Sequence, residues 1–524
     1  MKKLIVLSIF ICSLVAFTFA QTTKFDLVVK NARIVDGAGN PWFKGDIGIK
    51  NGQIAKIGVI AESDAAEIVD AKNQIVAPGF IDVHAHVENI FNNADAENFI
   101  RMGVTSLVTG NCGGSVTDVG KFLNRYKETP LAVNLATLIA HGSVRRDVLG
   151  TENRAPTTEE LQKMEALVEK GMKDGAVGLS TGLIYVPGTY AKTDEVVALA
   201  RVAKQHNGVY ASHIRNEGDT VFEAIAEAIN IGEQTGIPVE ISHFKIASKK
   251  HWGKTNETLG LVRAAREKGL PVTVDAYAYT ASSTSLDTLL PSWALAGGRD
   301  EGKKRLADEA TKKKIIEEIK KTLKDSKFKD FSYAFVASYS ANKDFSGKNI
   351  KEIAKLVRGK DKLDAQIEQI LEMYQAGGAQ MVYHKMDEPD VQSILREPFT
   401  MIASDSGVRS MGEGTPHPRG YGNNVRVLGR YVRELKIITL EDAIRKMTSL
   451  PAQTFNLRDR GLIKEGFAAD LVIFDEKTVG DKATFDNPHQ FPVGITTVLV
   501  NGKVAFADGQ MSKIRNGKAL KLNK

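Results

Sequence analysis

The stretch Thr193–Ile246, TDEVVALARVAKQHNGVYASHIRNEGDTVFEAIAEAINIGEQTGIPVEISHFKI, decides the fold. Two amphipathic segments, TDEVVALARVAKQHN and TVFEAIAEAINIGEQTG, alternate with two short apolar runs, GVYASHIRNEG and PVEISHFKI. Strand candidates separated by helical patterns are the signature of a parallel sheet with helices packed outside it. The same rhythm extends upstream through GFIDVHAH, TSLVTGNCG, LAVNLATLIAHG and AVGLSTGLIY, and downstream through PVTVDAYAY, AQMVYHKM and FTMIASDSG. About eight units can be counted, so the expected fold is α/β, a (β/α)8 TIM-like barrel. An open doubly wound sheet is the alternative.

Both ends of the chain have a different texture. Residues 21–78 read as short strands and tight turns, with Asp36-Gly37 and Asn51-Gly52 as hairpin signals, and residues 456–524 return to the same pattern. We therefore expect one small β-sandwich built from both ends and a barrel over residues 79–455. A Lys-rich helical segment at about 297–377 breaks the strand–helix rhythm and is expected to be an insertion in a barrel loop. Residues 1–20, MKKLIVLSIFICSLVAFTFA, combine a basic start, a short apolar core and small residues before Gln21, which predicts a cleaved signal peptide and export to a periplasmic or extracellular location. A permanent anchor is the alternative, but the apolar core is short for a bilayer span.

The formal net charge is +7, falling to about +5 once Lys2 and Lys3 leave with the leader. Over this length, with Glu and Lys interleaved in the basic segment, that predicts a solvated helix face and no nucleic-acid partner. No other stretch is apolar enough to predict membrane association after cleavage. Of the two cysteines Cys12 lies in the leader, so Cys112 has no internal disulfide partner. It is a core thiol, a reactive thiol or a metal ligand.

Chemistry in such a barrel sits where the strands end. Six metal-competent residues fall there: His84 and His86 after GFIDV, Cys112 after SLVTGN, His213 after GVYAS, His243 after PVEIS, and Asp405 after FTMIAS. His84 and His86 are two apart and share a strand face. Imidazole, thiolate and carboxylate together are what Zn2+ accepts. Lys245, two beyond His243, places a cation on the same face, where it suits a substrate carboxylate.

The motifs PGFIDVHAH, GVTSLVTGNCG, YASHIRNEG, ISHFK, VDAYAYTASS, IASDSG, HPRGYG and GLIKEGFAADLVIFD resemble those of the amidohydrolase superfamily, and within it of the D-aminoacylases, the N-acyl-D-amino-acid deacylases. The resemblance covers nearly the whole chain after the leader and is weakest in the Lys-rich segment. It implies a tight zinc on Cys112, His213 and His243 and a more exposed, weaker second position at His84 and His86. Because the fourth-strand stretch GAVGLSTGLIY holds no lysine that could be carboxylated, it also implies that Cys112 is the bridging group. It further places Lys245, Tyr185, Tyr277, Ser283 and Arg419 around the substrate carboxylate and scissile amide.

The expected reaction is hydrolysis of the linear amide of an N-acyl-D-amino acid, with dipeptides ending in a D-residue as further substrates and Asp405 moving the proton as general base and acid. A cyclic amidase of hydantoinase or dihydropyrimidinase type is the alternative, and a non-catalytic scaffold is a third reading that retention of all six ligands opposes. Arg215 is expected to partner Glu217 or Asp275, and His141 and His384 to be core or supporting histidines. The substrate is a small molecule. Side-chain preference and oligomeric state are not readable from the residues.

Overall fold

In a computed structural model the described residues are 24–522, and the expected leader, residues 1–20, lies outside them. No helix among the described residues is long and apolar enough to cross a membrane.

Parallel strands form at every apolar run around the Thr193–Ile246 stretch except AQMVYHKM. In chain order they are Phe80–Asp82, Val104–Thr109, Asn134–Thr137 continued by Ile139–Ala140, Gly178–Gly182, Val209–His213, Val239–Ile241, Val272–Ala276 and Thr400–Ile402. The first pairs with the second and the second with the third. From the third onward each pairs in parallel with the next, ending at Thr400–Ile402. Just past the last strand, the amide of Asp405 donates to His84 O at 2.8 Å and the amide of His86 donates to Ser406 O at 2.9 Å. The first and last strand ends are thus stitched together.

The helices between strands follow from their sequences. Thr158–Asp174 begins with a capping box, Thr157 accepting from the Glu160 amide and Glu160 from the Thr157 amide, and it turns Met164, Val168 and Met172 inward at four-residue spacing. Thr193–Gln205, Val221–Thr235 and Thr255–Glu267 bury equivalent stripes.

Between the seventh and eighth parallel strands lies a segment with its own apolar cluster, in which Leu286, Ile315, Ile319, Tyr374 and Met381 meet. It is wider than 297–377. It opens with the strand Ser282–Ser285 and closes with Gln380–Tyr383, and these two, with Ala334–Ser338, form an antiparallel three-stranded sheet. AQMVYHKM is therefore not a unit of the parallel sheet. A four-residue apolar run reads alike in either setting, and here its partners are antiparallel.

The chain ends share one nine-stranded sheet, in which Ile75–Pro78 pairs antiparallel with Leu471–Phe474. Leu27, Val29, Ile47 and Ile49 from the first end cluster with Leu471, Ile473 and Leu499 from the second. A buried polar junction ties this sheet to the parallel strands. Asp470 is ion-paired with Arg460, accepts from Asn134 Nδ2 at 3.0 Å and from the Asn501 amide at 2.7 Å, and is 5% exposed. Removing one partner of a buried pair leaves the other charge uncompensated. Asp470→Ala is accordingly expected to cost about 3–5 kcal/mol of stability, measured by urea denaturation. Unchanged stability would show that the junction holds nothing together.

Candidate metal centre

The strand ends deliver their side chains to one point, and they do so with strained backbone. Cys112, His243 and Asp405 have φ of 53°, 38° and 50°, the left-handed region that non-glycine residues avoid. Each such residue costs on the order of 1–3 kcal/mol and persists only where its surroundings over-determine it. The surroundings here are hydrogen bonds: the His243 amide donates to Asp275 Oδ1 at 2.9 Å, and the Asp405 amide to His84 O. Gly113, φ 69°, completes the turn after Cys112 where any Cβ would sit 2.5 Å from the Gly182 nitrogen.

Cys112 Sγ lies 3.3 Å from His84 Nε2, 3.6 Å from His213 Nδ1 and 3.5 Å from His243 Nε2. Tetrahedral zinc with Zn–S near 2.3 Å and Zn–N near 2.1 Å sets its sulfur and nitrogen donors about 3.6 Å apart. The Cys112, His213 and His243 atoms fit that spacing, and their chemistry is that of zinc donors. His84 and His86 form a second group with Cys112, and Asp405 Oδ1 lies 3.1 Å from His86 Nε2 and 3.6 Å from His84 Nε2. Cys112 belongs to both groups, and the fourth strand, GLSTG, brings no lysine to them.

Buried carboxylates aim the imidazoles. Asp275 Oδ2 holds His84 Nδ1 at 3.0 Å, and Glu217 Oε1 holds His243 Nδ1 at 2.9 Å, so each ring turns Nε2 toward Cys112. Behind them, Asp82 accepts from the amides of His84 and Ser404, and burial pushes its carboxyl up to about 6. Burial also pushes Glu240 well up, reinforced by neighbouring Asp275. Burial works against ionisation of Cys112 as well, but the charge of His84 and hydrogen bonds from His213 and His243 outweigh it and hold the thiol well below its usual value. At Asp405 burial is likewise overcome, chiefly by Arg419 and then His84.

A cavity of about 540 Å³ opens above these donors, within the usual range for small-molecule sites. Lys245, Tyr185, Ser283 and Arg419 line it. Neither cation is free. Lys245 Nζ is ion-paired with Glu217 and bonded to His243 O at 2.7 Å, and Arg419 Nη1 lies 2.8 Å from Asp405 Oδ2. Tyr185 OH meets Thr284 Oγ1 at 2.9 Å with its ring against His213. Tyr277 is buried and does not line the cavity. It lies under the Arg419 guanidinium, 4.6 Å from ring centre to Cζ, and its hydroxyl turns to Met386 Sδ.

Arg215 pairs with Glu227 on the following helix, at 2.8 Å, and with neither Glu217 nor Asp275. Glu217 is instead committed to His243 and Lys245, which leaves it no room for a guanidinium. His141 is a core residue, 2.8 Å from Glu195. His384 packs between Phe335 and Phe485, away from the donors. Glu240 and Asp82 carry no sequence signal of a supporting role, whereas Glu217 and Asp275, expected to partner Arg215, support His243 and His84 instead, and Asp275 stands near the end of VTVDA.

These features define a class: an α/β protein with a metal-competent centre at the ends of parallel strands. The chain belongs to the amidohydrolase family, whose model matches residues 67–506. It is 35% identical to a D-aminoacylase of Alcaligenes xylosoxydans xylosoxydans, over 96% of this chain and 98% of that one. It is 34% identical to an N-acyl-D-glutamate deacylase of the same organism, over 95% and 97%. The structure of an N-acyl-D-glutamate deacylase from Bordetella bronchiseptica, complexed with zinc and a phosphonate inhibitor that mimics the tetrahedral intermediate, superposes with TM-score 0.82 and 33% identity, covering 95% of this chain and all of that one. A D-hydantoinase matches at TM-score 0.57 and 16% identity, a likeness of fold alone.

If Glu217 orients His243, Glu217→Gln should weaken divalent-metal binding about 10–100-fold, read by competition with a chromophoric chelator. Native affinity in the variant would remove that role.

Proposed function

We propose that the protein hydrolyses the linear amide bond of N-acyl-D-amino acids with zinc, releasing a carboxylate and a D-amino acid. The observation that carries this reading is Cys112 Sγ set among three imidazoles, with Asp405 beside them and Lys245 and Arg419 across the same cavity. The near full-length likeness to deacylases supports the substrate class.

Cys112, His213 and His243 would hold the tight zinc, and His84 and His86 with Cys112 a second, weaker one. Bound there, zinc supplies Lewis-acid polarisation of water and of the scissile carbonyl, bringing the pKa of water from near 16 toward about 7. Asp405 takes the proton that water gives up as the C–O bond forms, and passes it to the leaving nitrogen as the amide C–N bond then breaks. Arg419 keeps Asp405 ionised and able to accept. Lys245 and Arg419 hold the amino-acid carboxylate with charge-assisted bonds, Ser283 and Tyr185 shape the pocket, and Tyr277 supports Arg419 from below.

The cyclic-amide alternative is disfavoured by the lysine-free fourth strand and by the low identity to the hydantoinase. We also read the parallel strands as an eight-stranded (β/α)8 barrel, supported by the Ala85–Ser406 bridge between its first and last members. The division into a β-sandwich of residues 21–78 and 456–524 and a barrel of 79–455 is supported by an apolar cluster built only from the two chain ends. Export is supported by the composition of residues 1–20.

A screen of zinc-loaded protein against N-acetyl-D- and L-amino acids tests the function; cleavage of the L-series alone would overturn it. Asp405→Asn should lower kcat about a hundredfold or more while zinc content stays near normal. Loss of zinc with a full rate on resupply would reassign Asp405 to metal binding.

Lys245→Met should cut kcat/KM on N-acetyl-D-amino acids about ten- to a hundredfold, the loss of one charge-assisted bond of roughly 1.5–3 kcal/mol. Because Lys245 also touches Glu217 and His243, zinc content is measured alongside. Equal native activity on a substrate whose carboxylate is replaced by a neutral amide would show that no cation reads that group.

A further inference from the structure

The cavity above the metal donors carries more positive charge than its own carboxylates balance. Four cationic side chains line it, Arg146, Lys245, Arg409 and Arg419, against two carboxylates, Glu217 and Asp405. Glu217 is committed to Lys245 and Asp405 to Arg419, and among the described residues neither Arg146 nor Arg409 has an ion-pair partner.

The two unpaired arginines differ in setting. Arg146 is exposed at the mouth, donating to Val186 O at 3.3 Å, where water and salt screen it. Arg409, on the loop after the eighth parallel strand, is only partly exposed and is held in place. Its amide donates to Asn98 Oδ1 at 3.3 Å, and the buried Asn98 clamps the same loop, its Nδ2 donating to Gly407 O at 3.3 Å and Gly420 O at 2.9 Å. Arg409 Nε donates to Ser406 Oγ at 3.2 Å, and the side chain passes over Gly420, where a Cβ would come within 3.1 Å of its Cγ. Its two Nη groups, the forked end of the guanidinium, make no hydrogen bond among the described residues. Burial and the charge of Arg419 pull its pKa below the usual guanidinium value, and the carboxylate whose field reaches it, Asp405, is already paired. A guanidinium stays charged even so. Arg409 is thus a fixed, partly desolvated cation without an anion.

We propose that Arg409 binds a second carboxylate of the substrate, in addition to the amino-acid carboxylate held by Lys245 and Arg419. The proposal rests on the deacylase reading and narrows it to dicarboxylic substrates, whose second group comes from the side chain of the D-residue or from the far end of the acyl group. Carboxylate is the matching chemistry because two Nη groups side by side present the fork that its two oxygens take.

Two matched pairs test it and separate the sources. N-acetyl-D-glutamate against N-acetyl-D-glutamine varies only the side-chain charge, and N-succinyl-D-leucine against N-succinamoyl-D-leucine only the acyl charge. Native zinc-loaded enzyme should favour the charged member of one pair by about tenfold or more in kcat/KM, the share of one charge-assisted bond, and the pair that shows it names the source. Arg409→Gln should bring that ratio to about one, and Arg409→Lys, which keeps the charge and loses the fork, should retain part of it. Each ratio is taken within one preparation, so a loss of folded or zinc-loaded enzyme cancels. Native ratios at or below one in both pairs overturn the proposal, and so does a ratio above one that Arg409→Gln leaves unmoved, while cleavage of N-acetyl-D-leucine keeps the deacylase reading. Cleavage of none of these substrates overturns both.

Discussion

A single thiolate set among three imidazoles is the constraint around which the other groups are arranged. Cys112 Sγ is within 3.6 Å of nitrogens from the first, fifth and sixth strand ends. Those distances tolerate little error, since a tetrahedral centre accepts donors only near its own edge length. Register follows from this. A one-residue slip in any contributing strand would turn its ligand to the opposite face, so the parallel pairing and the site specify the same alignment.

Holding the donors there is costly, and carboxylates bear much of the work. Asp275 binds His84 with one oxygen and the His243 amide with the other, fixing one ligand's ring and another's backbone from a single side chain. Glu217 reaches both the His243 ring and the Lys245 ammonium through its single oxygen Oε1. Buried charges without partners are strongly destabilising, and these carboxylates are tolerated because imidazole, ammonium and amide groups surround them. The left-handed backbone at His243 is held by the Asp275 carboxylate and that at Asp405 by the His84 carbonyl, so strain at these two positions is tied to the ligands' own bonds.

Much of this was legible in the residues because periodicity and position carry it. The eight parallel strands, the six metal-competent side chains and the contribution of both chain ends to one sheet all follow from apolar runs and what stands at their ends. What escaped lacks such a signal. Ser282–Ser285, SSTS, is polar throughout and half-buried, so neither its strand nor the true start of the inserted segment could be read. AQMVYHKM has the apolar content of a parallel strand, and only its partners distinguish it. Arg215 shares a face with His213, but its partner Glu227 sits on the next helix, a tertiary choice that i, i+2 spacing does not encode. Tyr277 follows its strand as the tyrosines of a pocket often do, yet it packs beneath Arg419, which covers it from the cavity.

The same pairing logic governs what the cavity offers a substrate. Lys245 and Arg419 are already balanced by Glu217 and Asp405, so a carboxylate entering the pocket joins two existing ion pairs. Attraction by excess charge at this pair is therefore small, and selectivity there has to come from geometry: only an anion placed to touch both cations without displacing either from its partner gains from both. Such sharing suits Arg419 in particular, because a guanidinium has five N–H donors in a fixed fork and can keep Asp405 on one edge while a second oxygen takes another. Lysine's compact ammonium has three donors, and Glu217, the His243 carbonyl and His243 Nδ1 all lie within their reach, so a ligand carboxylate has to share them with these groups. Recognition of the carboxylate and orientation of the metal ligands are thus one network, which couples substrate position to the donors that act on it.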